Sequence, residues 1–279
     1  MLNDTTGYTG LPDDRIMPQY DGHCVSSLPA IAASALDVSS RCPAPDGVVS
    51  SLSGDVDCVV LLVVDGFGLD CWQRDRAKHD FLQRLHESGS VTSLTSTFPS
   101  ATAAAMTSIH TGVPPGQHGV LGWSQYQPSI DRVVEPITHQ FRGGKPGDAS
   151  QAVAPEAVVT AEPAYPELER RGVSTHVLQQ SATLGTHYAD RTLDGATTHP
   201  YSALDDMART LRRTIETTDR PAYICVHVLD LDAVAHTPGT TAAEYQSVLS
   251  TLSAALEREL LGSDALDHTT LLLAADHGH

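Results

Sequence analysis

Three apolar runs in this 279-residue chain end in acids: VVLLVV runs into Asp65, HVL into Asp230 and Asp232, and TTLLLAA into Asp276 and His277. Singly, each acid could serve as a turn residue or helix cap. Together they describe carboxylates gathered where strands finish, the place where open α/β sheets put their chemistry. His236 lies four residues after Asp232, so on a helical turn both face the same way. No basic stretch accompanies these acids, so converging carboxylates would repel one another unless a cation neutralises them. The histidines favour zinc, manganese or iron over magnesium or calcium, which prefer all-oxygen surroundings. A nucleophile is available in TFPSATAAAMTSIHTG. Pro99 and Ser100 stop one element and a small-residue helix begins near Thr102, so the Thr102 hydroxyl stands at a helix N-terminus, where free N–H groups and the helix dipole attract an anion such as phosphate.

The elements that must hold these residues follow from hydrophobic period. CVVLLVV (58–64) is a fully buried strand. Asp70 to His86 follows at helical spacing, and a short strand is expected near Val91 to Thr95, before the helix Thr102 to His110. Further units follow: a helix from Pro166 to Arg171, strand 173–178, helix 203–217, strand 223–229, a long helix 241–261 and a last strand 269–275. The alternation predicts an α/β protein with a mainly parallel sheet covered by helices on both faces. Residues 1–55, rich in Pro, Gly, Asp and Ser, read as an N-terminal arm packed on the core, with one amphipathic candidate helix over Leu28 to Leu36. Residues 56–279 read as the catalytic domain, with an insertion of strands and turns at about 124–160.

Composition excludes several classes. The 34 acids against 17 bases give a net charge of −17, which repels nucleic-acid phosphates and anionic membranes, so neither a nucleic-acid groove nor a membrane partner is expected. Only Lys78 and Lys145 are lysine, and Asp outnumbers Glu 24 to 10. Few lysines with abundant Asp and Thr resemble the proteins of salt-accumulating archaea, whose ionic strength screens self-repulsion. No apolar run is long enough to span a bilayer and the first residues lack a signal-peptide pattern, so a cytoplasmic protein is expected. Five cysteines without a C-x-x-C pair suggest buried free thiols rather than disulfides or a zinc ribbon.

Four blocks in order, VVLLVVDGFG, FPSATAAAMTSIHTGVPPGQHG, LDLDAVAHTPG and AADHGH, resemble the type I phosphodiesterase and nucleotide pyrophosphatase family of the alkaline phosphatase superfamily, over about Val59 to His279. The resemblance implies an alkaline-phosphatase-like core and a hydrolase with two divalent metal ions, zinc or alternatively manganese, acting on a small phosphodiester or nucleotide through a phosphothreonine. It implies that Asp65, Thr102, Asp276 and His277 surround the metal that activates the nucleophile, Thr102, which lies ten residues before Gly112. Asp232 and His236 are implied ligands of the second metal. His118 and His279 are expected to support the site or the fold. There are two departures. Trp123 stands where the nucleotide pyrophosphatases carry a phosphoryl-binding Asn. The third ligand of the family's second metal, a His well beyond the Asp-His block, has no counterpart here, so the chain reads as truncated at its C-terminus, either weakly active or a binder that has lost turnover. A phosphonate hydrolase of the same fold is the alternative. Sulfatases are excluded because Cys42-Pro-Ala-Pro45 lacks their Arg, and a dinucleotide site is disfavoured because Cys71 occupies the third glycine position after Gly66 and Gly68.

Overall fold

A computed structural model describes residues 16–40, 44–45, 48, 52 and 55–279. Much of the expected N-terminal arm, and Cys42, lies outside the described residues. The strands are β1 (Cys58–Val64), β2 (Gln125–Gln127), β3 (Arg132–Glu135), β4 (Gln140–Phe141), β5 (Ser174–Gln180), β6 (Thr197–Tyr201), β7 (Ala222–Val228) and β8 (Thr269–Ala274). The helices used below are α1 (Leu28–Ala35), α2 (Leu69–Asp75), α3 (Asp80–Ser88), α4 (Thr102–Thr111), α5 (Pro115–His118), α6 (Tyr165–Arg170), α7 (Leu204–Thr217), α8 (Asp230–Ala235) and α9 (Ala243–Leu256).

The main sheet has the order β6-β5-β7-β1-β8, and every pairing in it is parallel. β1 is buried along its whole length, and its period-2 alternation divides it between two cores. Val60, Leu62 and Val64 face Met207 and Leu211 of α7 and Leu249 and Leu252 of α9. Val59, Leu61 and Val63 face Leu28 and Ile31 of α1, Met106 and Ile109 of α4, and Leu168 of α6. Apolar side chains on both faces are what a strand sandwiched between two helical layers requires. Truncating one of them, such as Leu62, to Ala would cost about 2–5 kcal/mol by transfer and cavity terms. The antiparallel sheet β2-β3-β4 stands apart, with a small core of Val134, Phe141, Ala149, Val153 and Val158.

Four elements differ from the sequence-based expectations. The helix expected from Asp70 to His86 is broken: α2 ends at Asp75, a 3-10 turn covers Arg76–Lys78, and His79 is extended at φ −134° before α3 begins. The break lets Arg74 and Lys78 both reach the fully buried Asp75 carboxylate. No strand forms over Val91 to Thr95. Val91 and Thr92 are exposed, Leu94 is half-buried against the core, and Thr95 makes a single parallel bridge to Cys24, too little pairing for a strand. β6, TTHPY, was not anticipated, because a polar edge strand carrying Pro200 lacks a strand's apolar signature. The long helix over 241–261 is α9 with its last turn widened to π geometry over Glu257–Leu261. Cys24, Cys58, Cys71 and Cys225 are free and buried.

Candidate active site

The carboxyl ends of β1, β7 and β8 converge with the N-terminus of α4. Asp65 follows β1, and its backbone N–H is held by Val228 O of β7 at 2.9 Å. Its side chain, 1% exposed, meets His227 Nε2 at 3.1 Å through Oδ2 and His277 Nε2 at 3.4 Å through Oδ1. Thr102 is the first residue of α4. Ala101 precedes it in extended conformation without a side-chain cap, so the first-turn amides keep no side-chain partner there. Residues Ala103, Ala104 and Ala105 are fully buried, and their small size brings the helix close behind the site. The Thr102 hydroxyl lies 3.1 Å from His277 Nε2 and 3.4 Å from Asp65 Oδ1. His277 Nδ1 lies 3.3 Å from Gly278 O, which turns Nε2 toward the hydroxyl.

Asp276 is fully buried. Its Oδ1 accepts from the backbone N–H groups of Gly66 (3.2 Å) and His277 (2.9 Å), whereas Oδ2 is buried without a hydrogen bond, 3.6 Å from His277 Nε2. Burial first, then the charge of Asp65, pushes the Asp276 carboxyl up to about 6. Burial also opposes ionisation of Asp65, but its bond to His227 and the charges of His227 and His277 outweigh that and hold it below its ordinary value. Asp232 of α8 and His236, the residue that caps the C-terminus of α8, lie one turn apart, with His236 Nε2 3.1 Å from Asp232 Oδ2. Asp230 faces elsewhere and accepts from Gln180 Nε2 at 2.9 Å.

The family model for type I phosphodiesterase / nucleotide pyrophosphatase matches residues 59–279. The chain belongs to that family. Among solved structures, the chain is similar to murine ectonucleotide pyrophosphatase / phosphodiesterase 5, described as inactive and in complex with AMP (16% identity, TM-score 0.58, 79% of this chain and 56% of that one). It is also similar to phosphonoacetate hydrolase from Sinorhizobium meliloti in complex with phosphonoformate (18% identity, TM-score 0.52, 78% and 55%). The α/β fold is shared with these two structures, and the chain spans little more than half of their length. Among curated proteins, none matches.

In this family member the residue set fits divalent cations. Asp276 Oδ2, buried beside the Asp65 carboxylate, makes no hydrogen bond and has His277 Nε2 at 3.6 Å, so two buried carboxylates share a balance of charge that a cation would complete. Among the described residues, two groups bring ligand atoms within 4.8 Å of one another: Asp65, Asp232 and His277, and Asp232, His236 and His279. These groups bring Asp65, Asp232, His236 and His277 together, and Thr102 and Asp276 adjoin them through His277 Nε2, 3.1 Å from Thr102 Oγ1 and 3.6 Å from Asp276 Oδ2. His118, by contrast, is buried away from it, with Nε2 2.8 Å from Ser108 Oγ and Nδ1 accepting from Val120 N–H. Trp123 is exposed.

Sequence reasoning missed one residue. His227, inside the apolar strand YICVHVL, reads as a core histidine, yet it orients Asp65. The parallel pairing Val63↔His227 is what places it there. His279, expected to play a supporting part, has Nε2 2.6 Å from Asp232 Oδ1.

Proposed function

We propose that the protein is a metal-dependent hydrolase of phosphodiesters or nucleotide pyrophosphates that works through a phosphoester of Thr102. The observation that carries this reading is the Thr102 hydroxyl at the N-terminus of α4, 3.1 Å from His277 Nε2 and 3.4 Å from Asp65 Oδ1. Two divalent cations, zinc by the imidazole content and manganese as the alternative, would be held by Asp65, Thr102, Asp276 and His277 on one side and by Asp232 and His236 on the other, supplying Lewis acidity toward the hydroxyl and the phosphoryl oxygens. Thr102 Oγ1 attacks phosphorus as its proton passes to Asp65 Oδ1, the acceptor 3.4 Å away, and the bond from phosphorus to the leaving oxygen breaks, the leaving oxygen taking a proton from solvent. The first-turn amides of α4 point at the non-bridging oxygens, where N–H groups and helix dipole favour the developing charge. Thr102 Oγ1–H donates toward Asp65 Oδ1 at 3.4 Å and so keeps an oxygen lone pair turned toward the substrate, while His277 Nε2 is the ligand atom offered to the cation. His227 holds Asp65 by its far oxygen, fixing the near one beside Thr102. Water then attacks the threonine ester and restores the hydroxyl.

The alternative, a phosphonate hydrolase, uses the same hydroxyl, and the likeness in fold to phosphonoacetate hydrolase keeps it in the test. The experiment is a panel of a nitrophenyl phosphodiester, a nucleotide pyrophosphate and phosphonoacetate. Turnover confined to phosphonoacetate would replace the first reading with the second. The proposal also places the enzyme in a salt-rich cytoplasm, on the strength of 34 acids against 17 bases and two lysines.

A further inference from the structure

We infer that His279 is a third protein ligand of the cation held by Asp232 and His236. The inference rests on the metal-dependent reading above and adds a ligand that neither motif nor family resemblance assigns. Asp232 carries an imidazole on each oxygen: His279 Nε2 at 2.6 Å from Oδ1 and His236 Nε2 at 3.1 Å from Oδ2. The two rings stand at 87° with centroids 5.3 Å apart, so they approach the carboxylate from different directions rather than stacking. The three ligand atoms lie within 4.8 Å of one another. Around tetrahedral zinc, with ligand bonds of about 2.0–2.1 Å, ligand atoms stand about 3.3 Å apart. Side-chain adjustments of about 1 Å convert the observed cluster into three corners of that tetrahedron, the fourth being left for substrate or water.

A second observation is independent of the side chains' mutual bonds. The backbone after β1 is shaped to admit this histidine. Gly66 has φ +69°, and a Cβ there would lie 2.8 Å from His279 Cδ2 and 3.0 Å from Asp232 Oδ1. A Cβ on Gly68 would lie 2.7 Å from Gly278 Cα. Two glycines thus clear the path by which Gly278 turns past β1 and delivers His279 to α8. His277, two residues earlier, faces Thr102, and the two rings are 5.8 Å apart. The segment 276–279 therefore supplies ligands toward both cations.

The test is metal content and affinity of the 279-residue protein after dialysis against zinc, followed by cobalt(II) titration read by visible absorption. The unaltered chain is expected to hold two cations. His279→Ala is expected to keep the cation beside Thr102 and to bind the other at least about 100-fold more weakly, beyond the 10–100-fold that loss of a merely supporting partner costs. It should also lose the tetrahedral cobalt signal, as His236→Ala does. His279→Asp, which returns a ligand atom, should recover part of the affinity, and His86→Ala, on the exposed end of α3, should change nothing. Circular dichroism confirms that each variant is folded. Two cations held by His279→Ala with unchanged affinity and spectrum would overturn the ligand assignment and leave the hydrolase reading standing. A chain that holds no cation in any form would overturn both.

Discussion

Gly68→Ala perturbs the site through one methyl group. Gly68 has φ −66° and ψ 177°, a conformation open to alanine, so the backbone itself imposes no penalty. The new Cβ would lie 2.7 Å from Gly278 Cα, 3.3 Å from Gly278 N and 3.5 Å from His277 O, all backbone atoms that cannot rotate away. Carbon atoms rest at about 3.5–4.0 Å, so the 276–279 segment must retreat by about 1 Å. The strand β8 is pinned to β1 in register from Thr269 to Ala274, so the displacement falls on the segment beyond it, which carries His277 and His279. Overpacking of this kind costs about 1–3 kcal/mol in stability, and 1 Å of misplacement costs about 100-fold in rate. Zinc affinity by competition with a chelating dye, hydrolysis of a nitrophenyl phosphodiester and thermal melting measure the three effects. The expected pattern is a modest fall in Tm with a large fall in zinc affinity and rate. Gly116→Ala is the control, since a Cβ there meets nothing within 4 Å. Wild-type zinc affinity and turnover in Gly68→Ala would refute the claim that this close approach sets the ligand geometry.

Other outcomes follow from the same structure. Thr102→Ala should lower phosphodiester turnover by at least about 10³-fold while Thr102→Ser keeps part of it, read by steady-state kinetics. Burial holds the His118 imidazole down at about 4 against an ordinary 6.5, so the unfolded chain takes up its proton first and stability is lost as pH falls from 6.5 through about 4. At 1.36 kcal/mol per pH unit that is about 3 kcal/mol. Urea melts across this range should show a steeper acid loss in wild type than in His118→Gln, and equal slopes would contradict it. With a net charge of −17, thermal melts should rise from low to molar KCl, each kcal/mol of relieved repulsion adding about 2–4 °C, and a flat or falling series would refute the salt adaptation.

The parallel sheet was legible because β1 and β7 are continuous apolar runs, and because acids at strand ends have few reasons to recur. Asp65, Asp232 and Asp276 could be grouped from sequence for that reason, and His236 followed from helical spacing. His227 and His279 could not be read in the same way. The partner of His227 is 162 residues distant and is reached only through strand register. The direction of His279 depends on Gly278 passing Gly68, a backbone contact with no side-chain signature. The break after α2 had a faint signal: Asp75 flanked by Arg74 and Lys78 places two cations around one acid, which a continuous amphipathic helix would leave on its surface.

The central claim is that Thr102 becomes covalently bound to phosphorus during turnover. The direct measurement is an acid quench of the zinc-loaded protein during hydrolysis of a nucleotide phosphodiester, followed by peptide mass spectrometry. The account predicts a nucleotidyl adduct on the peptide containing Thr102, absent from Thr102→Ala. Sustained turnover with no adduct, or with the adduct on another residue, would contradict it.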